Sequence, residues 1–151
     1  MSFFMIKIYF AGSISGGRND VELYRQIMKH LQKYGEVLTE YIGNKELSAL
    51  GETNLSDSEI YDRDTDLLNM ANVLVAEVTT PSLGVGFEIG RTLERNKWIN
   101  RSNGKKILCL YRPSDGKRLS AMIAGCEDLT LREYANIEEA RKHIDNFFVI
   151  R

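Results

Sequence analysis

Two carboxylates and one glycine-serine loop are the groups in this chain best suited to do chemistry. Glu88 lies in Pro81-Ser82-Leu83-Gly84-Val85-Gly86-Phe87-Glu88-Ile89-Gly90, just after the apolar, β-branched run of residues 73–78. Such a run predicts a strand buried on both faces. Val85, Ile89 and Leu93, at i, i+4 and i+8, predict a helix after it. The intervening loop then sits at the carboxyl end of a parallel strand, where open α/β sheets bind ligands. A helix dipole alone favours an acid in a first turn, but Glu88 is too far along to serve a cap at Ser82, whose capping-box partner would be Val85. Gly84, Gly86 and Gly90 each weaken a helix by roughly 1 kcal/mol, which predicts a close approach by the sheet, another subunit or a ligand.

Asp64 is the second carboxylate. It stands among Ile60, Leu67, Leu68 and Ala71 at helical spacing, and an acid on an inward stripe is costly unless partnered or used. The alternative is a carboxylate at the stripe's edge that reaches water. The loop Gly12-Ser13-Ile14-Ser15-Gly16-Gly17-Arg18 supplies small residues, two hydroxyls and an arginine at a helix start, a composition suited to one phosphate. Ser82 adds a further donor. The loop matches neither the dinucleotide fingerprint nor the phosphate-loop motif, and a turn without a ligand is the competing reading. Paired carboxylates beside a phosphate cradle suggest cleavage of a glycosidic bond, one acid attacking the anomeric carbon and the other assisting the leaving group.

The elements that must position these groups alternate regularly. Strands are expected at residues 5–11, 36–41, 73–78, 105–111 and 129–134. Helices are expected from caps Asn19 and Asp20 to about Tyr34, from Ser56 or Asp57 to Ala71, after Ser82, over residues 119–125 and over residues 137–148. The polar stretch of residues 43–56 is a candidate lid, and residues 96–104, with Trp98 as a packing residue, are expected to form a long connection. Five strands alternating with helices imply a doubly wound, five-stranded parallel α/β sheet, Rossmann-like and flavodoxin-like, in the order 2-1-3-4-5. The first and third strands would then flank the switch point.

The 151 residues fit one domain, residues 1–151. A formal net charge of -1 gives no footprint for nucleic acid or an anionic membrane. The apolar start lacks a basic region and a cleavage site, so no signal peptide is expected, and no run approaches membrane-spanning length. Cys109 and Cys126 suit buried thiols in a reducing compartment, so a cytoplasmic location is expected, the nucleus being open in a eukaryote. His30 and His143 have no partners at metal spacing, and neither a metal nor a cofactor is expected.

Four runs closely resemble the 2'-deoxynucleoside 5'-phosphate N-hydrolases of the nucleoside 2-deoxyribosyltransferase superfamily: residues 8–18, 34–40, 75–90 and Leu119-Ser120-Ala121-Met122-Ile123. The resemblance implies that Glu88 is the nucleophile at C1' of the deoxyribose, forming a covalent glycosyl-enzyme that water resolves. It implies that Asp64 protonates or orients the departing base and that Tyr9 positions the nucleophile. It assigns the substrate contacts to Gly12, Ser13, Ile14, Ser15, Gly16, Gly17, Arg18, Ser82, Gly84, Ser120 and Met122, with Ser120 reaching in from a second subunit, hence a homodimer. Two departures stand out: Ser15 where the family commonly has arginine, and Tyr41 where relatives often have histidine in the base pocket.

The expected activity is hydrolysis of deoxynucleoside monophosphates to free base and 2-deoxyribose 5-phosphate. A deoxyribosyltransferase passing the sugar to a second base is the first alternative. Serines at 13, 82 and 120 favour a phosphorylated substrate, since acids there would repel it. A nucleotide-binding domain without catalysis is the second alternative. A dinucleotide oxidoreductase is poorly supported by the glycine spacing.

Overall fold

The computed structural model describes residues 5–14, 20–43 and 54–149. Residues Ser15, Gly16, Gly17 and Arg18 of the expected phosphate loop, the cap Asn19, and most of the candidate lid lie outside the described residues. Five parallel strands, β1 (Lys7–Ala11), β2 (Glu36–Val37), β3 (Val73–Glu77), β4 (Lys106–Tyr111) and β5 (Thr130–Glu133), form one sheet in the order β2-β1-β3-β4-β5. The helices α1 (Val21–Leu31), α2 (Asp57–Met70), α3 (Leu83–Trp98), α4 (Ala121–Ala124) and α5 (Ile137–Val149) make the connections. The expected strand order is the one observed. It places β1 and β3 side by side, Tyr9 opposite Leu74, at the point where the winding reverses.

Alternation along the strands divides the core into two layers. Ile8, Phe10, Val75, Leu108 and Leu110 pack with Tyr24, Ile27 and Leu31 of α1 and Ala140 and Ile144 of α5. Tyr9, Ala11, Leu74, Ala76, Ile107 and Cys109 face Leu68 of α2 and Val85 and Ile89 of α3. A two-residue period in the strands meets a 3.6-residue period in the helices, and each helix buries one stripe. Tyr9 is thereby committed to the α3 side of the sheet.

Several element ends differ from the sequence expectation. The second strand ends at Val37, because the Thr39 hydroxyl accepts from the Phe10 N–H at 2.9 Å and donates to the Phe10 carbonyl at 2.7 Å. A side chain thus replaces the ladder bonds, and the chain turns into a short 3-10 helix, Glu40–Gly43. α3 runs on to Trp98, where a connection is expected from the sequence, and Trp98 is 81% exposed, its indole N–H donating to Glu94 one turn back. Trp98 is not a core packing residue: it lies on the solvent side of the last turn.

At the start of α2 the Ser56 hydroxyl accepts from the Glu59 N–H, while the Glu59 carboxylate accepts from the Ser56 N–H. This reciprocal cap fixes where α2 begins, and so the height of Asp64 two turns further on. Gly35 has a packing reason. A β-carbon there would lie 2.1 Å from the Ile6 carbonyl oxygen.

Candidate active site

β1 carries Tyr9 on its α3 face, and the first two turns of α3 carry Glu88. α3 is started by Ser82, whose hydroxyl accepts from the Val85 N–H at 3.3 Å. With Val85 and Ile89 buried against the sheet, Glu88 falls at the edge of the buried stripe, partly shielded from water. The Tyr9 hydroxyl donates to Glu88 Oε1 at 2.7 Å across 79 residues of sequence. Burial pushes the Glu88 carboxyl up to about 7; the Tyr9 hydrogen bond pulls it down and the Asp64 charge pushes it up further. Burial, then the Glu88 charge, raise the Tyr9 phenol far above its ordinary value, so it stays a donor.

Asp64, on α2, is held from a second direction. The Tyr41 hydroxyl, delivered by the 3-10 helix after β2, donates to Asp64 Oδ1 at 2.6 Å. Arg63 donates to the same oxygen through Nε at 2.8 Å, its Nη2 forms an ion pair with that oxygen at 2.8 Å, and its guanidinium carbon lies 4.1 Å from the centre of the Tyr41 ring. The stripe-edge reading of Asp64 is thereby replaced by a partnered one. The charges of Glu88 and Asp64 raise both the Tyr9 and the Tyr41 phenols, and the Asp64 charge raises Glu88, so the four groups lie in one electrostatic cluster. A hydrogen-bonded carboxylate that titrates near neutrality, beside a second, ion-paired carboxylate, has the make-up of a nucleophile and its helper.

The other expected site residues are placed as follows. Gly12 and Ser13 are buried and Ile14 is half-buried at the end of β1; a β-carbon on Gly12 would lie 2.9 Å from the Tyr24 ring, so this glycine answers to core packing. Ser82 caps α3, and Gly84 is exposed beside it. Ser120 caps α4, accepting from the Met122 N–H, and Met122 is 82% exposed. Among the described residues Gly86 and Gly90 have nothing within 4 Å of an added β-carbon, so the sheet does not require them.

Arg63 is missed by sequence reasoning, although a cation next to a suspect acid is a signal. Glu77 is missed too. It is fully buried at the end of β3, on the face opposite Tyr9; its Oε1 accepts from the N–H and hydroxyl of Thr79, and its Oε2 has no partner among the described residues. Burial raises its pKa. The Thr79 hydroxyl oxygen also accepts from the Arg112 N–H at 2.9 Å, and Arg112 pairs with Asp20, at 2.9 Å, at the start of α1. An acid inside the run Val-Leu-Val-Ala-Glu-Val could have flagged this strut. A groove of about 900 Å³ lies at the opposite end of β4 and β5. Its Lys105 ammonium is committed to the carbonyls of Asn69 and Ala71, and its His143 to that of Glu133.

Fold and site together define a flavodoxin-like α/β protein with a coupled acid pair at the carboxyl ends of its central strands. The chain belongs to the nucleoside 2-deoxyribosyltransferase family, whose family model matches residues 8–122. It is 46% identical over 147 residues to the 5-hydroxymethyl-dUMP N-hydrolase of Tetraodon nigroviridis, covering 95% of this chain and 97% of that one. To the protein of the same name from Homo sapiens it is 44% identical over 144 residues, covering 93% and 78%. Among solved structures, a CMP N-glycosidase of Clostridium botulinum superposes with a TM-score of 0.60 at 17% identity, covering 93% of this chain and 98% of that one, a likeness of fold.

Proposed function

We propose that this protein hydrolyses the N-glycosidic bond of 2'-deoxynucleoside 5'-monophosphates, releasing free base and 2-deoxyribose 5-phosphate. The observation that carries the reading is the Tyr9–Glu88 hydrogen bond of 2.7 Å on a carboxyl that titrates at about 7. A carboxylate of that basicity is a strong nucleophile for its class, and the phenol holds it in one rotamer. In this mechanism Glu88 attacks C1', the base departs with the glycosidic electron pair, and water then cleaves the glycosyl ester. The names of the relatives point to the same bond and make 5-hydroxymethyl-dUMP the first substrate to try.

The described part of the phosphate pocket consists of the residues ending β1 and of Ser82, whose loop sits at a helix N-terminus suited to an anion. Ser120 of a second subunit completes it in this proposal, which makes the active form a homodimer. Support comes from an apolar face on α3 and α4: Leu83 is 96% exposed, Phe87 51% and Met122 82%, with Gly86 and Gly90 open between them. The two thiols, both free, fit a cytoplasmic location. Among the described residues no helix is long and apolar enough to cross a membrane.

The test is chromatography of 5-hydroxymethyl-dUMP and the four common deoxynucleoside monophosphates after incubation with wild type and Glu88→Ala. Wild type releases base, and the variant is slower by about a thousandfold or more while remaining folded. Base release by Glu88→Ala at the wild-type rate overturns the proposal. The family description favours base exchange as a second reading. An added acceptor base and an unphosphorylated deoxynucleoside separate the two, because only a transferase yields a new nucleoside.

A further inference from the structure

Two hydrogen bonds and an ion-pair contact converge on a single oxygen of Asp64. Tyr41 Oη at 2.6 Å and Arg63 Nε at 2.8 Å donate to Oδ1, and Arg63 Nη2 lies 2.8 Å from the same atom. The Arg63 guanidinium thus doubles up on the atom that Tyr41 already holds. It is also stacked 4.1 Å over the Tyr41 ring, so each partner fixes the other. The result is a clamp of three side chains from two elements, closed on one side of the acid.

We propose that Arg63 and Tyr41 are positioning residues for glycosidic cleavage, holding Asp64 as an ion-paired carboxylate whose Oδ2 accepts a hydrogen bond from the departing base and gives it no proton. This rests on the hydrolase reading above. The carboxylate of Glu88 forms a bond to C1' as the C1'–N bond breaks, the electron pair goes to the ring nitrogen, and the base leaves as an anion that takes its proton from water. Glu88 loses its charge as the ester bond forms and Arg63 compensates that of Asp64, so the leaving anion faces no unneutralised carboxylate. Bases whose anions are delocalised over ring carbonyls suit such a site.

The clamp has two measurable consequences. With no acid on the leaving group, wild-type kcat/KM, which reports the step that releases the base, falls steeply as the departing base becomes more basic, from 5-fluoro-dUMP through dUMP to dTMP. Arg63→Gln lowers kcat by about tenfold or more with KM within about threefold, and Arg63→Lys, which returns the charge, recovers part of the loss. Tyr41→Phe, a change of one hydroxyl, moves kcat in the same direction and serves where Arg63→Gln does not fold. A level kcat/KM across the three bases overturns the proposal, as does wild-type kcat/KM in folded Arg63→Gln or, should that variant not fold, in Tyr41→Phe. Base release from other deoxynucleoside monophosphates but from none of these three overturns the proposal alone, whereas no release from any deoxynucleoside monophosphate, 5-hydroxymethyl-dUMP included, sinks the hydrolase reading itself.

Discussion

Replacing Glu88 by glutamine should stabilise the protein in alkaline buffer and leave it nearly unchanged in mild acid. The folded carboxyl titrates at about 7, against an ordinary value of 4.5, with burial as the first cause. Below pH 4.5 both folded and unfolded chains carry the neutral acid, and no penalty arises. Between pH 4.5 and 7 the folded state holds the proton that the unfolded state releases, so stability falls as pH rises. Above pH 7 the full difference of about two and a half pH units applies, on the order of 3 kcal/mol. Glutamine keeps the shape, can still accept from Tyr9, and does not ionise. Urea denaturation of wild type and Glu88→Gln at pH 5 and pH 8 measures the effect, provided the m-values agree. A stability gap that widens by about 2–3 kcal/mol toward pH 8 is expected. The same gap at both pH values would falsify the claim that the fold holds this acid out of its ordinary range, and the nucleophile argument would lose its electrostatic basis.

Removing the Tyr9 hydroxyl deletes the contact that pulls Glu88 down, so in Tyr9→Phe the acid limb of kcat/KM should move up by about one to two pH units from its wild-type midpoint near 7. A pH profile of base release reads it directly. Gly35→Ala forces a β-carbon to within 2.1 Å of the Ile6 carbonyl, which should cost about 3 kcal/mol and lower Tm by roughly 6–12 °C in a thermal melt. Phe87→Asp places a charge on the exposed apolar face of α3; sedimentation velocity should show a wild-type dimer and a variant monomer, with base release reduced alongside. A wild-type monomer would remove the second-subunit role of Ser120.

Much of the frame was legible in the order of residues. Apolar β-branched runs alternating with amphipathic stretches leave little choice but a parallel, doubly wound sheet, because each stripe needs a partner and parallel neighbours need crossovers. The caps Ser56 and Ser82 were readable for the same local reason. A serine hydroxyl at a helix start satisfies backbone donors only a few residues away. Glu88 and Asp64 could be singled out because each departs from what its local pattern requires.

The partners of those acids could not be read from local pattern. Tyr9 and Glu88 are 79 positions apart, and Tyr41 and Asp64 are 23 apart; nothing local couples them. The Tyr41 contact depends on a strand cut short by the Thr39 hydroxyl, a competition between side-chain and ladder hydrogen bonds that propensity does not rank. The elevated Glu88 value comes from burial, which is a property of packing. The residue types of the acids were fixed in the chain, while the raised pKa of Glu88 and the donors to both acids arose only when β1, α2 and α3 closed around them.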